Sequence, residues 1–382
     1  MSWRTRPVGP ISDSTGHDGT VETAGPYRRL PGPRPRDELA SWTTAVLDDG
    51  PLPEIPSLSA PSPAGWWEVI EGQGLYVRRT SGHAPQSAAP VWCVHGLAGS
   101  STNWNRLARA LSDVAPTFAV DLPGHGWSDP SPRDDYDLPA QARLLGMLID
   151  HVGGGPVNLV GNSYGGIVAT LLAAERPELV RTLTLISPAV PDFRLIGERG
   201  ADPRIGLLLV PGTAGPAVRQ LARVDPDRRA RSLAMVCFGR PDLVPPEGLR
   251  AAAAEVGERA SLPWVHTSTI GAARSLIAGY FRPGRHSFLA AASRVQAPVL
   301  VIWGTRDRLV DVRLARSTAA AFADSRLLVV AGSGHVAQME DPELVARALR
   351  ALLRSRSVQI GAGPADSAPS VDAQRAVAGS SS

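Results

Sequence analysis

The sequence predicts an α/β chain built on a doubly wound, mostly parallel sheet, and three observations carry that prediction. Short apolar runs, mostly Val, Leu and Ile, recur at Val91–Val94, Thr117–Val120, Val157–Val160, Thr182–Ile186, Val299–Trp303 and Leu327–Val330, with the length and bounding residues of buried strands. Helix-length stretches with apolar residues at helical spacing lie between most of them, and that alternation argues for parallel strands covered on both faces. Chemically capable residues stand just past the ends of these runs: His95, Asp121, Ser163, Asp307 and His335. In an open α/β sheet the carboxyl ends of the strands are where ligands are met.

Taken in order, residues 1–63 are rich in Pro, Gly, Ser and charge. Such a composition buries little apolar surface, so the segment is expected to be disordered or loosely packed. Within it only Glu38–Leu47 offers a helical apolar face, from Leu39, Trp42, Val46 and Leu47. Residues 64–187 and 297–356 are expected to form the α/β core. Trp67–Ile70, a Gly-Gln-Gly turn and Leu75–Val77 read as a β-hairpin. The strand Pro90–Val94 leads into His95-Gly96-Leu97-Ala98-Gly99-Ser100, then a helix over Trp104–Leu111. Strand Thr117–Val120 ends at Asp121-Leu122-Pro123-Gly124-His125-Gly126-Trp127-Ser128, and a helix over Leu138–His151 leads to the strand at 157.

Residues 188–296 break the alternation. They are rich in Arg, Ala and Pro and show helices at Gly215–Val224, Arg228–Phe238, Leu249–Arg259 and Ile270–Phe281. The segment reads as a helical cap inserted after the sixth strand. Alternation resumes with Val299–Trp303, a helix over Leu314–Phe322, the strand Leu327–Val330 and an amphipathic helix over Pro342–Arg354. Residues 357–382, rich in Ser, Ala and Gly, are expected to be a disordered tail.

Composition narrows the function classes. The chain has 382 residues, 43% of them hydrophobic, with a formal net charge of +3. Every basic side chain other than His is Arg, spread without a block, so no nucleic-acid partner is inferred. Two cysteines, Cys93 and Cys237, give neither a disulfide framework nor a metal-ligand spacing. No apolar run has the length of a bilayer span. Arg28-Arg29 is followed by Leu-Pro-Gly-Pro-Arg-Pro rather than an apolar stretch, so a signal peptide is not expected and a cytoplasmic location is.

The chain is organised around Pro156–Glu175. A buried strand, the turn Gly161-Asn162-Ser163-Tyr164-Gly165 and a helix with Ile167, Val168, Leu171 and Leu172 place a serine at the tip of a strand–turn–helix. Such a turn is strained, and a Cβ at Gly161 or Gly165 would crowd it. The helix N-terminus under Ser163 supplies free N–H groups and positive potential. A serine hydroxyl is a weak nucleophile at neutral pH and needs an adjacent base. His335, whose imidazole titrates near ~6.5 when unperturbed, can take that proton and return it to the leaving group. Asp307 can hold the imidazole tautomer and stabilise the imidazolium. The chain order is Ser, Asp, His.

From about residue 66 to 355 the sequence resembles the α/β-hydrolase fold superfamily, in the serine-type, lid-bearing branch that includes esterases, lipases, perhydrolases and C–C bond hydrolases. The motifs that carry the resemblance are His95–Ser100, Asp121–Ser128, Gly161–Gly166, Trp303–Asp307 and Gly334-His335. It implies an oxyanion hole from the backbone N–H groups of Leu97 and Tyr164, and an orienting role for His95 on the oxyanion loop. It implies no cofactor and no metal. Haloalkane dehalogenases and epoxide hydrolases of the superfamily carry Asp at the elbow, whereas this chain has Ser163.

The expected activity is cofactor-independent hydrolysis of a small to medium carboxylic ester with an apolar acyl part, the partner being that small-molecule substrate. Three alternatives use the same residues differently. One is C–C hydrolysis, to which the Gly-Asn-Ser of the elbow points. Another is acyl transfer or perhydrolysis. The last, of another class, is a ligand-binding protein that kept the fold without turnover. Asp311 competes with Asp307 but sits where it would open the next helix. Met235, Phe238, Trp264 and Phe281 read first as the cap's own core.

Overall fold

The computed structural model describes residues 39, 41–80, 82–132, 135–192 and 224–361, with backbone alone for 356–361. Its centre is an eight-stranded sheet in the order β1-β2-β4-β3-β5-β6-β7-β8. The strands are β1 Gly65–Ile70, β2 Gln73–Thr80, β3 Val91–Val94, β4 Thr117–Val120, β5 Val157–Asn162, β6 Val180–Ile186, β7 Val299–Gly304 and β8 Ser325–Val330. The hairpin β1–β2 is antiparallel and β2 pairs antiparallel with β4; all other pairings are parallel. The strand order reverses at β3, which lies between β4 and β5. That reversal makes a crevice at the strand ends. Its register sets Val94 opposite Gly161, so the His95 loop and the Ser163 turn leave the sheet side by side.

The helices are α1 Asn105–Ala110, α2 Leu138–Val152, α3 Tyr164–Glu175, α4 Pro226–Cys237, α5 Pro246–Ala260, α6 Val265–Tyr280, α7 Phe288–Ala292, α8 Ala315–Ala320, α9 Ala337–Glu340 and α10 Pro342–Gly361. Period-2 alternation along the strands explains the two apolar layers. Val157, Leu159, Val299, Val301 and Trp303 join a core with α2, α3 and α7. Val160, Leu300, Ile302, Leu328 and Val330 point the other way, to Trp104, Leu107, Val345 and Leu349. α3 is buried on every side from Tyr164 to Ala173. A helix without a polar face belongs in a protein interior, so Ser163 stands on a rigid base.

Between β6 and β7 the described residues include four α-helices, α4 to α7. Asp225 opens α4 by accepting from the N–H groups of Asp227 and Arg228 at 3.0 and 3.2 Å, with Pro226 in the first turn. The helix expected at Gly215–Val224 lies outside the described residues except for its last position, as do residues 1–38 and the tail beyond 361. The sequence showed no helix at Phe288–Ala292, a span too short for a periodic signal.

The described part of the first 63 residues contacts much of the core. Thr44 and Ala45 donate backbone N–H groups to Leu327 O at 2.8 and 3.0 Å, and Thr44 Oγ1 and Thr43 Oγ1 accept from Leu327 N and Val329 N. The segment thereby occupies polar groups along the β8 edge, which would otherwise be open to another strand. Asp48, buried, lies between Arg350 and Arg354 of α10. Further on, Arg106 donates to Pro56 O and Asn105 to Ser62 Oγ. No helix among the described residues is long and apolar enough to cross a membrane.

Candidate active site

Ser163 sits between β5 and α3 at φ 53°, ψ −118°, in the positive-φ half of backbone space that a non-glycine residue enters only under constraint. The constraint is visible. Ser163 N donates to Ile186 O at 3.0 Å, and Ser163 O accepts from Gly166 N at 2.9 Å and Ala189 N at 3.1 Å. A Cβ on Gly161 would lie 2.5 Å from Gly165 O, and one on Gly165 would overlap the carbonyls of Val94 and His95. Both glycines are therefore required by close backbone approach, as the turn's sequence predicts.

Asp307 and His335 are brought into direct contact. His335 Nδ1 and Asp307 Oδ2 are 2.9 Å apart, with both side chains almost wholly buried. The other carboxylate oxygen, Oδ1, accepts from Leu309 N at 2.9 Å and Val310 N at 3.0 Å. Two backbone donors thus fix the carboxylate in the plane that presents Oδ2 to the imidazole. This pairing makes Nδ1 the protonated nitrogen and leaves Nε2 as the acceptor. Asp311, the competing acid, accepts instead from Arg313 N at the start of the next helical turn.

The serine is joined to this pair through its neighbour. Asn162 Nδ2 donates to Ile186 O at 2.9 Å and to His335 O at 3.0 Å, so the residue before Ser163 holds the main chain of His335. No hydrogen bond among the described residues joins the Ser163 hydroxyl to His335. Such bonds are often long until substrate closes a site. On the opposite side, a Cβ on Gly96 would stand 3.2 Å from Ser163 Cβ, which places the Gly96-Leu97 turn against the serine. No backbone hydrogen bond among the described residues takes up the N–H of Leu97 or Tyr164. The Tyr164 side chain is core, its hydroxyl donating to Tyr136 O at 3.2 Å and its pKa pushed up by burial.

His95 is fully engaged elsewhere. Its Nε2 accepts from Leu122 N at 3.0 Å, so Nδ1 carries the proton and donates to Gly96 O at 2.7 Å. Burial first, and then His125, lower its pKa to about 3. The ring is a neutral strut between the ends of β3 and β4. His125 Nδ1 meets Pro123 O at 2.9 Å, and burial lowers its pKa to about 4. Asp121 holds its own loop and the next one, accepting from Trp127 N at 2.9 Å and Ser101 N at 2.5 Å; burial raises its pKa to about 6. Among the described residues, no group of three or more His, Cys, Asp or Glu side chains is placed to hold a metal ion.

A family model described as the alpha/beta hydrolase fold matches residues 89–342. The chain is an α/β hydrolase. Monoacylglycerol lipase abhd6-A of Xenopus laevis is 26% identical to it over 288 residues, spanning 72% of this chain and 78% of that protein. Lipase LipV of Mycobacterium tuberculosis is 38% identical over 146 residues, 37% of this chain and 51% of LipV. Among solved structures, a thermophilic esterase from Thermogutta terrifontis superposes with a TM-score of 0.58 at 23% identity, covering 78% of this chain and 99% of the esterase. That likeness is one of fold.

Some residues around the hydrolase's site are absent from the sequence reading. From α5, Glu255 accepts from Ser100 Oγ at 2.6 Å and Thr102 Oγ1 at 2.9 Å, and Arg259 donates to Gly99 O at 3.1 Å. These bonds tie the insertion to the loop that follows Leu97. Glu340 makes a corresponding tie near His335. No local sequence signal marks Glu255, Arg259 or Glu340, because each acts on a segment distant in the chain.

Proposed function

We propose that the chain is a serine hydrolase of small to medium carboxylic esters. The observation that carries the reading is the buried Asp307–His335 hydrogen bond, tied through Asn162 to the backbone of the Ser163 turn. Ser163 Oγ attacks the ester carbonyl while His335 Nε2 takes its proton. The tetrahedral oxyanion is held by the N–H groups of Leu97 and Tyr164. Collapse expels the alcohol, which receives the proton from His335. Water, activated by the same nitrogen, then attacks the acyl-enzyme, releases the carboxylic acid and restores the hydroxyl. Asp307 stabilises the imidazolium in both halves. The helices between β6 and β7 act as a cap that shapes the acyl pocket. The names of the lipase and monoacylglycerol lipase relatives are in keeping with an apolar acyl chain.

Asn162 offers no separate support for C–C hydrolysis, because its amide is committed to two carbonyls whichever bond is cleaved. The test is hydrolysis of chromogenic esters of rising acyl length by the wild type and by Ser163→Ala, together with labelling by a fluorophosphonate probe. Turnover and labelling are expected in the wild type and absent in the variant, a loss of roughly 10⁶-fold. Turnover that survives Ser163→Ala would refute the assignment.

A further inference from the structure

The helical insertion and the His335 loop meet at the carboxylate of Glu340. Its Oε1 accepts from Gly334 N at 2.6 Å and lies 3.4 Å from Ser333 Oγ. Its Oε2 accepts from Gly239 N at 2.9 Å and Arg240 N at 3.2 Å. One oxygen thus serves the loop that carries His335, and the other serves the segment that leaves α4.

These two segments touch backbone to backbone. His335 N donates to Cys237 O at 2.7 Å. A Cβ on Gly334 would overlap Gly239 N and lie 2.5 Å from Cys237 O, and one on Gly239 would overlap Gly332 O. No side chain separates them, so a shift of residues 237–240 is passed to the main chain of His335. Arg308 Nη1 donates to Phe238 O at 3.1 Å, which fastens the same segment to the Asp307 loop. Arg240 Nη2 donates to both carboxylate oxygens of Asp341 at 2.6 Å, a second tie between the segment that leaves α4 and the residue after Glu340. Burial is the largest influence on the Glu340 carboxyl and raises its pKa, with the three backbone N–H groups opposing it. The side chain lies at a site where an unbonded carboxylate would not stay.

We propose that Glu340 is a positioning residue of the active site, holding the His335 loop and the helical insertion to one another so that the imidazole is placed only when the insertion is seated. The inference rests on the reading of His335 as the base. Glu340 touches neither substrate nor the reacting atoms in this scheme. It acts through Gly334, whose amide precedes His335, and through Gly239 and Arg240, which follow the acceptor of His335 N. A misplacement of about 1 Å at a reacting group can lower a rate by roughly 10²-fold, which sets the scale of the effect.

The experiment compares Glu340→Ala, Glu340→Gln and Arg176→Ala with the wild type. It measures thermal unfolding, kcat and KM on a chromogenic ester, and the rate constant for fluorophosphonate labelling of Ser163. Labelling needs the base but no cognate substrate. Folded Glu340→Ala is expected to label and turn over roughly 10²-fold more slowly, with KM changed by no more than about threefold. Glu340→Gln keeps one acceptor oxygen but turns an NH2 toward backbone donors, so it is expected between the two. Arg176→Ala removes an exposed ion pair with Asp150 and Glu178, touches neither segment held by Glu340, and is expected to label like the wild type.

A folded Glu340→Ala that labels at the wild-type rate overturns the proposal. So does an Arg176→Ala variant impaired as much as Glu340→Ala. If Glu340→Ala does not fold, Glu340→Gln decides, and a wild-type labelling rate in it overturns the proposal equally. Ser163→Ala run alongside separates the two levels. Turnover surviving there sinks the active-site reading itself, whereas a silent Ser163→Ala beside a fully active Glu340→Ala sinks only the role of Glu340.

Discussion

Asn162→Asp replaces a buried donor by an acceptor of the same shape at the joint between the serine turn and the histidine loop. In the wild type Nδ2 donates to Ile186 O at 2.9 Å and His335 O at 3.0 Å, and the residue is 4% exposed. Ile186 O keeps a second donor, Ser163 N, so it is not stranded by the change. His335 O loses the donor that ties it to the elbow. An ionised aspartate would face two carbonyl oxygens in a dry site, so the side chain stays only if it is protonated, with its pKa pushed far above ~3.9. Its single O–H replaces two N–H donors, so one hydrogen bond is lost at about 1 kcal/mol, and holding the proton at pH 7 costs about 1.4 kcal/mol for each of roughly 3 units above ~3.9, which together give roughly 5 kcal/mol of destabilisation.

The sign of the pH dependence follows from that proton. The folded variant holds it while the unfolded chain releases it above about pH 4, so the deficit grows as pH rises toward 7 and shrinks toward pH 5. Asn162→Ala, which loses both bonds without adding a titratable group, is expected to cost about 1–3 kcal/mol with no added pH slope. Urea unfolding at pH 5, 6 and 7 reads both variants against the wild type. Ester turnover per folded molecule should fall in each, because His335 O is freed. A deficit for Asn162→Asp below about 0.5 kcal/mol, or one that does not change with pH, would refute the reasoning.

Two further outcomes are expected. His125 is held neutral with its pKa lowered to about 4, so it takes up a proton on unfolding between that value and its ordinary range. The wild type should therefore lose stability relative to His125→Gln by about 1.4 kcal/mol per pH unit as pH falls from about 6 to about 4; parallel stability curves for the two proteins would contradict this. Asp48→Asn removes the carboxylate between Arg350 and Arg354 and leaves the Arg350 guanidinium, 2% exposed, with Asp113 alone at 2.8 and 3.0 Å. A loss of roughly 2–4 kcal/mol is expected, the lower part of the range for a broken buried pair because Asp113 remains. A lowered melting temperature with unchanged ester kcat checks it, and an unchanged melting temperature counts against any part of residues 41–63 in stability.

The elements that the sequence made legible are those whose signals are local. β5, the Ser163 turn and α3 occupy consecutive residues, and the change from strand to helical periodicity, with glycines at 161 and 165, marks the turn without reference to the rest of the chain. Asp307 and His335 could be singled out because each follows a buried strand by a few residues, β7 and β8, on the same rim. His95 was assigned to structure rather than catalysis, and the bonds to Leu122 N and Gly96 O give the reason: both ring nitrogens are used. Residues 41–63 were harder. Their composition is polar and Pro-rich, and what orders them is backbone pairing with β8 and an ion pair to α10. Neither leaves a periodic trace.

By itself, then, the sequence determined the sheet's strand segments, the strand–turn–helix that carries Ser163, and the three residues proposed for catalysis. Hydrophobic periodicity and turn stereochemistry act over a few residues and are written in local order. The tertiary structure alone decided how those residues are held. Asn162 reaches His335 across 173 positions of chain, Glu340 reaches Gly239 across 101, and Glu255 reaches Ser100 across 155. Each is a single polar contact whose partner is chosen by how sheet and insertion come together. No local pattern encodes such a choice, because a buried donor needs only an acceptor nearby in space, wherever the chain supplies it.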